Sequence, residues 1–223
     1  MFTGTRTTRR TLLAGWTAAV FLRGFQRDRR HLAPVDESDQ DASFRDFRGK
    51  LLAVIGSKDV RQLLALVAPD VRIEFGGNKG REEFRKAWEL DHPATSHVWD
   101  ELGNSVRLGC VRDPQNPSGF VAPYVYARFP EDLDGVTHLV VVTPDAKLQE
   151  RPEAAARVVE TLHWEIVEVI GQDDRQHGWR HVRSVAGHPG FARDSDVRSP
   201  VAYRAFFQKR NGQWLMTAFV EGD

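Results

Sequence analysis

The chain has little sulfur and no net charge. Cys110 is the only cysteine among 223 residues, which excludes an intramolecular disulfide and a cysteine-based metal cluster within one chain. The 31 lysine and arginine residues are balanced by 31 aspartate and glutamate residues, so the positive excess typical of nucleic-acid-binding proteins is missing. We therefore expect no nucleic-acid partner.

Apolar runs long enough to cross a membrane are missing as well. The run behind Arg9 and Arg10 ends at Leu22, and about twelve helical residues extend only about 18 Å, whereas a bilayer core is about 30 Å thick. We expect no stable transmembrane span.

The amino terminus instead has the layout of an export signal, with basic residues followed by a short apolar run. Its two adjacent arginines, Arg9 and Arg10, make it similar to the twin-arginine type. We expect residues 1–26 to be an export leader and the protein to be periplasmic or secreted. Because no small-x-small cleavage motif follows the run, a basic leader or a misassigned start codon on a cytoplasmic protein is the alternative.

The remaining composition is that of a soluble globular protein. The chain is 41% hydrophobic and 28% charged, and its length allows one large or two small domains. Residues 27–42 are charged and lack aliphatic periodicity, which predicts a linker. The folded part is expected to begin at residue 43.

The first folded part is predicted to be mixed helix and strand. Ser43 and Ser57 are the expected caps of two helices that end near Gly56 and Pro69. A strand is predicted next from alternating apolar residues, and a third helix from residues after a glycine-rich turn. The residues that carry these two elements are Val71, Ile73 and Phe75 for the strand and Phe84, Ala87 and Trp88 for the helix.

Two further predictions concern the ends of this part. Residues 99–130 are predicted to be sheet, with strands over 106–111 and 121–129. At the carboxyl terminus, Asn211-Gly212 separates two apolar runs and predicts a type I′ hairpin, because both residues accept a positive φ. Since a lone hairpin is marginal in water, we expect it to join the sheet of residues 43–135. Residues 44–90 and 201–223 loosely resemble the NTF2-like family, a cone-shaped α+β fold.

Residues 136–200 read as an all-β module of short strands separated by turns. Leu148, Arg151 and Pro152, followed by Trp179 and Val182, resemble the bacterial SH3 (SH3b) family. Phe191-Ala192 stands where that family prefers tryptophan-valine, and the glycine usual before the third strand is missing. The resemblance implies a small SH3-like barrel and a binding or scaffolding role.

The predicted fold class is thus α+β, a helical or NTF2-like domain with an inserted SH3-like β-barrel. Its segments are 1–26 as leader, 27–42 as linker, 43–135 as the α+β domain, 136–200 as the barrel and 201–223 as the hairpin that completes the first domain.

Catalytic and metal motifs are weak. Cys110 sits in a strand-like stretch and fits a buried apolar cysteine better than a thiol nucleophile, which would need a histidine base. His92 and His97 are five residues apart with a proline between them, which excludes a regular helical metal site with Asp91. In the 76–80 turn the lysine precedes the last glycine, unlike the phosphate-binding order. We expect no catalytic residue, no metal site, no cofactor and no enzyme activity.

The expected ligand is a cell-wall peptide or another envelope peptide or protein, as the SH3b resemblance implies. The candidate binding residues are Arg151, Trp164, Trp179 and Arg180, and a shallow groove is predicted between residues 150–152 and 173–179. Aromatic faces offer stacking area, and arginine can fork onto a carboxylate. The alternative function is an NTF2-like small-molecule binder, isomerase or hydrolase with a pocket in residues 43–135, where Glu74 or Asp100 beside a histidine would favour an enzyme.

Overall fold

The computed structural model describes Met1 and residues 30–222, apart from Phe75, Asn78, residues 172–174 and His177, with backbone alone at residues 175–176. The expected leader, residues 1–26, thus lies outside the described residues except for Met1. Within the described part of the chain, no helix has both the length and the apolar character needed to cross a membrane.

The described residues form α-helices and two β-sheets, an α+β architecture. The helices are α1 (Ala42–Ser57), α2 (Val60–Leu66), α3 (Arg81–Ala87), α4 (Val98–Arg107) and α5 (Tyr124–Arg128). The strands are β1 (Val67–Arg72), β2 (Val111–Asp113), β3 (Asn116–Ala122), β4 (His138–Val141), β5 (Ala146–Gln149), β6 (Val158–Leu162), β7 (Ile166–Val169), β8 (Arg175–Gln176), β9 (Trp179–Arg183), β10 (Pro189–Arg193), β11 (Val197–Arg198), β12 (Arg204–Arg210) and β13 (Gln213–Val220). Single 3₁₀ turns occupy Ser38–Gln40 and Asp194–Asp196.

The first sheet has five strands in the order β1-β13-β12-β3-β2. It packs on α1 to α4 around one apolar cluster, in which the Phe44 ring stacks on Phe120 with centroids 3.8 Å apart. Both ends of the sequence therefore contribute to one core, since α1 and β13 lie about 160 residues apart in the chain.

The carboxyl-terminal hairpin turns at Asn211-Gly212, whose φ values are 50° and 80°. From this turn the strands pair with Lys209 opposite Trp214 and Phe207 opposite Met216, the register expected for a two-residue turn. A bulge then shifts the register, so that Phe206 lies opposite Ala218. Sequence alternation alone does not show such an extra residue.

The helix caps differ from the predicted ones. Asp41, not Ser43, caps α1 by accepting from the Phe44 N–H at 3.1 Å, and Asp59, not Ser57, caps α2 by accepting from the Gln62 N–H at 2.9 Å. Ser43 instead accepts from the indole N–H of Trp214 at 2.9 Å. An aspartate satisfies the free amides of a first helical turn as well as a serine does, so residue type alone did not distinguish them.

The prediction of sheet over residues 99–130 is wrong in two places. Val98–Arg107 is a helix, with Val98, Leu102 and Val106 buried at i, i+4 and i+8, and Tyr124–Arg128 is a short helix that follows Pro123. Residues 111–113 and 116–122 do form strands. Residues 121–125 are buried in both the strand and the helix, so the sequence shows no periodicity there that would distinguish the two.

The second sheet follows the order β11-β4-β7-β9-β10-β5-β6, with β8 paired to β9. Each of the seven strands in this order supplies a side chain to one apolar cluster. Its members include Leu139 on β4, Leu162 on β6 and Val197 on β11. The sheet therefore curls around that cluster. Among the described residues no pairing joins β6 to β11, so a closed barrel is not shown.

Residues 30–41, which fall in the predicted linker, lie against both sheets. The Arg30 carbonyl accepts from the Ile166 N–H at 2.8 Å, and the Leu32 N–H donates to the Trp164 carbonyl at 2.7 Å. Further along, the Glu37 N–H donates to the Cys110 carbonyl at 2.7 Å. Backbone hydrogen bonds do not depend on aliphatic periodicity, so a polar composition did not reveal this attachment.

The two sheets also share an apolar contact. Val140 on β4 and Ile166 on β7 are buried together with Val111, Val121 and Tyr124 of the first sheet region. Leu139 and Val141, the neighbours of Val140, point into the core of the second sheet. This explains why Leu139, Val140 and Val141 on β4 are all apolar instead of alternating with polar residues.

Candidate functional site

An aromatic pair lies on the outer face of the second sheet. The inner face carries Val182 and Ala192, which belong to the core of that sheet. Strand pairing places His181 on β9 opposite Phe191 on β10, and their rings stack at a centroid distance of 4.5 Å and an angle of 12°. Both side chains are half-buried. A partly exposed stacked pair on a rigid strand pair offers a flat apolar surface to a ligand.

Two cations lie on the same face, two residues further along the strands. The Arg193 guanidinium on β10 covers the Trp179 ring at 5.1 Å. Lys147 on β5 donates to the Thr161 hydroxyl at 3.0 Å. Strand β10 pairs with β5 at Phe191 and Gln149, so Arg193 and Lys147 lie on neighbouring strands, with the Arg193 guanidinium turned towards β9 and the Lys147 ammonium towards β6. Both side chains are exposed.

Gln149 on β5 lies opposite Phe191 on β10, which in turn lies opposite His181 on β9. These three residues form a row across three neighbouring strands. Its side chain is only 5% exposed, and its amide Nε2 donates to the Ala154 carbonyl at 2.8 Å. Its Oε1 has no hydrogen-bond donor within the described chain. A buried unsatisfied acceptor costs about 1–3 kcal/mol, so such atoms call for an explanation. We name these five residues, His181, Phe191, Gln149, Arg193 and Lys147, the outer-face site.

The four predicted binding residues are not brought together. Trp179 and Arg180 are adjacent on β9 and therefore point to opposite faces. The Trp179 ring is 8% exposed and lies under Arg193, so the surface offered there is the guanidinium rather than the indole. Arg180 points to the core side, 4.0 Å from the Asp194 carboxylate.

The described ends of the predicted groove, residues 150–152 and residues 178–179, lie at opposite ends of β10. Pairing places Arg183 opposite Pro189 and Trp179 opposite Arg193, while Gln149 lies opposite Phe191. The turn that begins at residue 150 is thus near the Pro189 end of β10, and Gly178–Trp179 is near the other end. Residues 173, 174 and 177 lie outside the described residues. The strand order that separates these loops is not encoded in local alternation.

Arg151 and Trp164 lie in the two loops that flank β6. Arg151 is exposed, 3.8 Å from the Glu153 carboxylate. Trp164 is half-buried with a φ of 54°, and its carbonyl accepts from Leu32. Its backbone therefore attaches residues 30–41 to the second sheet.

The sequence candidates in the first sheet region occupy packing or surface positions. Cys110 is fully buried, and burial raises the pKa of its thiol to about 12. Asp91 pairs with Arg85, while His92 and His97 are exposed. Such positions suit a structural or solvated role.

The sequence predicts a ligand pocket within residues 43–135. The aromatic side chains expected to line it pack against one another. Trp88 stacks on Phe219 at 5.0 Å and meets Tyr203 at 4.9 Å, and Trp99 is buried, donating from its indole to the Pro93 carbonyl at 2.6 Å. Phe75, which was also expected there, lies outside the described residues. Asp100 is exposed, on the solvent side of α4.

The candidates chosen from the sequence, Arg151, Trp164, Trp179 and Arg180, include none of the five outer-face residues. One signal for the face was present, because Phe191 stands where the SH3b pattern has a tryptophan, two residues before Arg193. Their convergence depends on pairing between β5 and β10, which are 40 residues apart in the chain. A single sequence carries no record of that pairing.

Comparison with known proteins adds little. No family model and no curated protein matches the chain. Among solved structures, one match is a designed NTF2-like protein named Rd1NTF2_05, in a variant with five substitutions; it is 16% identical, and the match covers 80% of this chain and 95% of that one with a TM-score of 0.26. A likeness at this TM-score carries no argument about fold or function.

Proposed function

We propose that the chain is a non-catalytic binding protein of the bacterial envelope, whose second sheet is an SH3b-like module inserted in an NTF2-like α+β domain. The module binds a cell-wall peptide or another extended peptide on the outer-face site. The observation that carries this proposal is the half-buried stack of His181 on Phe191, flanked by the exposed Arg193 and Lys147.

The arrangement suits a peptide for physical reasons. The stacked rings of His181 and Phe191 lie on two neighbouring strands about 4.8 Å apart, a width that about two residues of extended chain cover. Aromatic surfaces bind extended chains with little loss of side-chain entropy, because a ring has only two rotatable bonds. A shallow face of this size favours micromolar affinity or weaker, since ordering the peptide consumes much of the gain.

Retention of the full chain on purified peptidoglycan tests the proposal. We expect wild type to be retained and Phe191→Ala to be lost, with circular dichroism showing that the variant folds. Arg61→Ala, at an exposed position on α2, is the control and should be retained as wild type. Equal retention of Phe191→Ala and wild type would contradict a role for this face.

Export to the periplasm or cell surface belongs to the same proposal and rests on Arg9 and Arg10 ahead of the apolar run. Fractionation of cells that express a tagged chain tests it. We expect wild type in the periplasm or medium and the chain with both arginines changed to lysine in the cytoplasm. If both chains are cytoplasmic, the export part fails and the binding part is unaffected.

A further inference from the structure

Residues 30–32 attach to the second sheet as a short antiparallel strand. Two backbone hydrogen bonds join them to residues 164–166. These bonds lie on either side of His31 and Glu165, which pair directly with each other. Because the flanking residues carry the hydrogen bonds, the side chains of His31 and Glu165 lie close together on one face. The attachment therefore includes an ionisable carboxyl group.

The carboxyl group of Glu165 lies in an unfavourable place for a charge. Its side chain is half-buried, and its Oε2 is shielded from solvent and has no hydrogen-bond donor within the described chain. The Val185 N–H bonds to the carboxyl group, but burial and the neighbouring Glu160 carboxylate outweigh this bond and raise the pKa of Glu165. An ionised Glu165 is thus poorly solvated and repelled by Glu160. Protonation removes both costs.

The other ionisable side chains near Glu165 and Glu160 are histidines and one aspartate. They are His31, His163 with Asp145 at 3.1 Å, and His188 with Glu160 at 3.0 Å. Arg30 points to the opposite face, since it is adjacent to His31 on an extended chain. Histidine changes charge between about pH 5 and 8. In acidic solution the histidines therefore supply positive charge to this group of carboxylates, and in alkaline solution they do not.

The glutamate and the histidine change the strength of the attachment in the same direction with pH. A carboxyl group whose pKa is raised by its folded surroundings stabilises them below its unfolded pKa of about 4.3 and loses that contribution as the pH rises through the raised value. Loss of positive charge from His31 removes the counter-charge that residues 30–32 themselves supply. Detachment of these residues lets water reach the face that carries Glu165, so ionisation of Glu165 favours the detached state.

We propose that the attachment of residues 30–32 to the second sheet is a pH-sensitive latch. It is closed in slightly acidic solution, with Glu165 protonated and His31 positively charged, and weakened in mildly alkaline solution, with Glu165 ionised and His31 neutral. When the latch opens, the backbone groups of residues 164 and 166 become available to another extended chain. The inference does not depend on the proposed peptide-binding function.

Amide hydrogen exchange of the full chain tests the latch. The measured quantity is the protection factor, which is the intrinsic exchange rate divided by the observed rate, because this ratio removes the ordinary pH dependence of exchange. We expect the Leu32 and Ile166 amides to be at least about threefold better protected at pH 5 than at pH 8. The Gly80 amide, which donates to the Val71 carbonyl at 2.8 Å, is the internal control and should not show this change.

Two substitutions should act in opposite directions on the Leu32 amide. Glu165→Gln removes the charge with little change of shape and should raise the protection at pH 8 to about the pH 5 value. His31→Gln, at an exposed position, should lower the protection at pH 5 towards the pH 8 value. Glu168→Gln is the matched control and should keep the wild-type ratio, because Glu168 is exposed and pairs with Arg183 at 2.8 Å.

Three outcomes would overturn the inference. The first is equal protection of the Leu32 and Ile166 amides at the two pH values in wild type. The second is a wild-type ratio in Glu165→Gln, since the pH dependence would then come from another group. Circular dichroism checks that each variant folds, and if Glu165→Gln does not, a wild-type ratio in His31→Gln is the third outcome that rejects the latch.

Discussion

Gly109 lies directly against the backbone of Val35. A Cβ atom at position 109 would collide with the Val35 carbonyl oxygen and stand 3.3 Å from its carbonyl carbon, and the φ of Gly109 is 104°. Residues 30–41 reach Cys110 because no side chain is present at this point. The close approach of the Val35 backbone to the first sheet region therefore requires a glycine at position 109.

Gly109→Ala should destabilise the protein. We expect a loss of about 2–3 kcal/mol in the free energy of unfolding, from backbone strain at a positive φ together with a clash against backbone atoms that cannot rotate away. Urea denaturation measures it. Gly187→Ala, at a φ of 91° with nothing within 4 Å, is the matched control and should lose only about 1–2 kcal/mol. Equal losses in the two variants would show that residues 34–36 do not press on position 109.

The cap of α1 should make stability depend on pH. Hydrogen bonds from the Ser43 hydroxyl and the Phe44 N–H hold the pKa of Asp41 below its usual value. A lowered pKa in the folded state means that Asp41 contributes stability above its unfolded pKa of about 3.9, and that this contribution is lost as the pH falls through the folded pKa. Asp41→Asn should be less stable than wild type by about 0.5–1 kcal/mol at pH 7.

Urea denaturation at pH 7 and pH 3 checks this expectation. The difference between wild type and Asp41→Asn should shrink at the lower pH, because the carboxylate is being protonated. A difference that stays constant between the two pH values would contradict a charge contribution from the cap.

Ser43 is exposed, yet it should matter more than an exposed serine that bonds to no other element. Its hydroxyl donates to Asp41 at 2.7 Å and accepts from the Trp214 indole at 2.9 Å, joining α1 to β13. Ser43→Ala leaves a buried indole N–H without an acceptor, which should cost about 1–3 kcal/mol. Ser195→Ala, at an exposed position, is expected to stay within about 0.5 kcal/mol of wild type. Chemical denaturation of both variants measures the contrast, and matching stabilities would remove Ser43 from the network.

Cys110 should not react in the folded protein. Its thiol is fully buried, and burial raises its pKa to about 12, so very little thiolate is present near neutral pH. A thiol reagent such as Ellman's reagent at pH 8 should label it only at the rate of unfolding and at once in denaturant. Stoichiometric labelling within seconds under native conditions would show that the core around α4 and β2 opens.

Local chemistry made the carboxyl-terminal part predictable. Asn211-Gly212 defined the hairpin turn and the register as far as Phe207, because turn type and register are coupled through a two-residue loop. The bulge beyond Phe207 and the helix at Val98–Arg107 were not anticipated. In the helix, Val98, Leu102 and Val106 keep the i, i+4 spacing, but Gly103 and Asn104 between them have low helix propensity, so the intrinsic propensity was weak and tertiary packing decided.

The proposed binding surface was less predictable than the fold. Trp179 and Arg180 were chosen together because they are adjacent, yet adjacency on a strand sends side chains to opposite faces. Arg193 and Lys147 share one face of the sheet only through the β5 and β10 pairing. The domain boundaries, the function, the lack of enzyme activity and the localisation stay predictions.

Strand β4 has no solvent side, since Leu139 and Val141 fill one apolar cluster while Val140 fills another. Removing this strand would open both clusters at once. The two sheets should therefore melt together in calorimetry as one cooperative unit, with the calorimetric enthalpy equal to the van't Hoff enthalpy. Amides on β4 should accordingly exchange with solvent only through global unfolding, at the slowest rates in the chain.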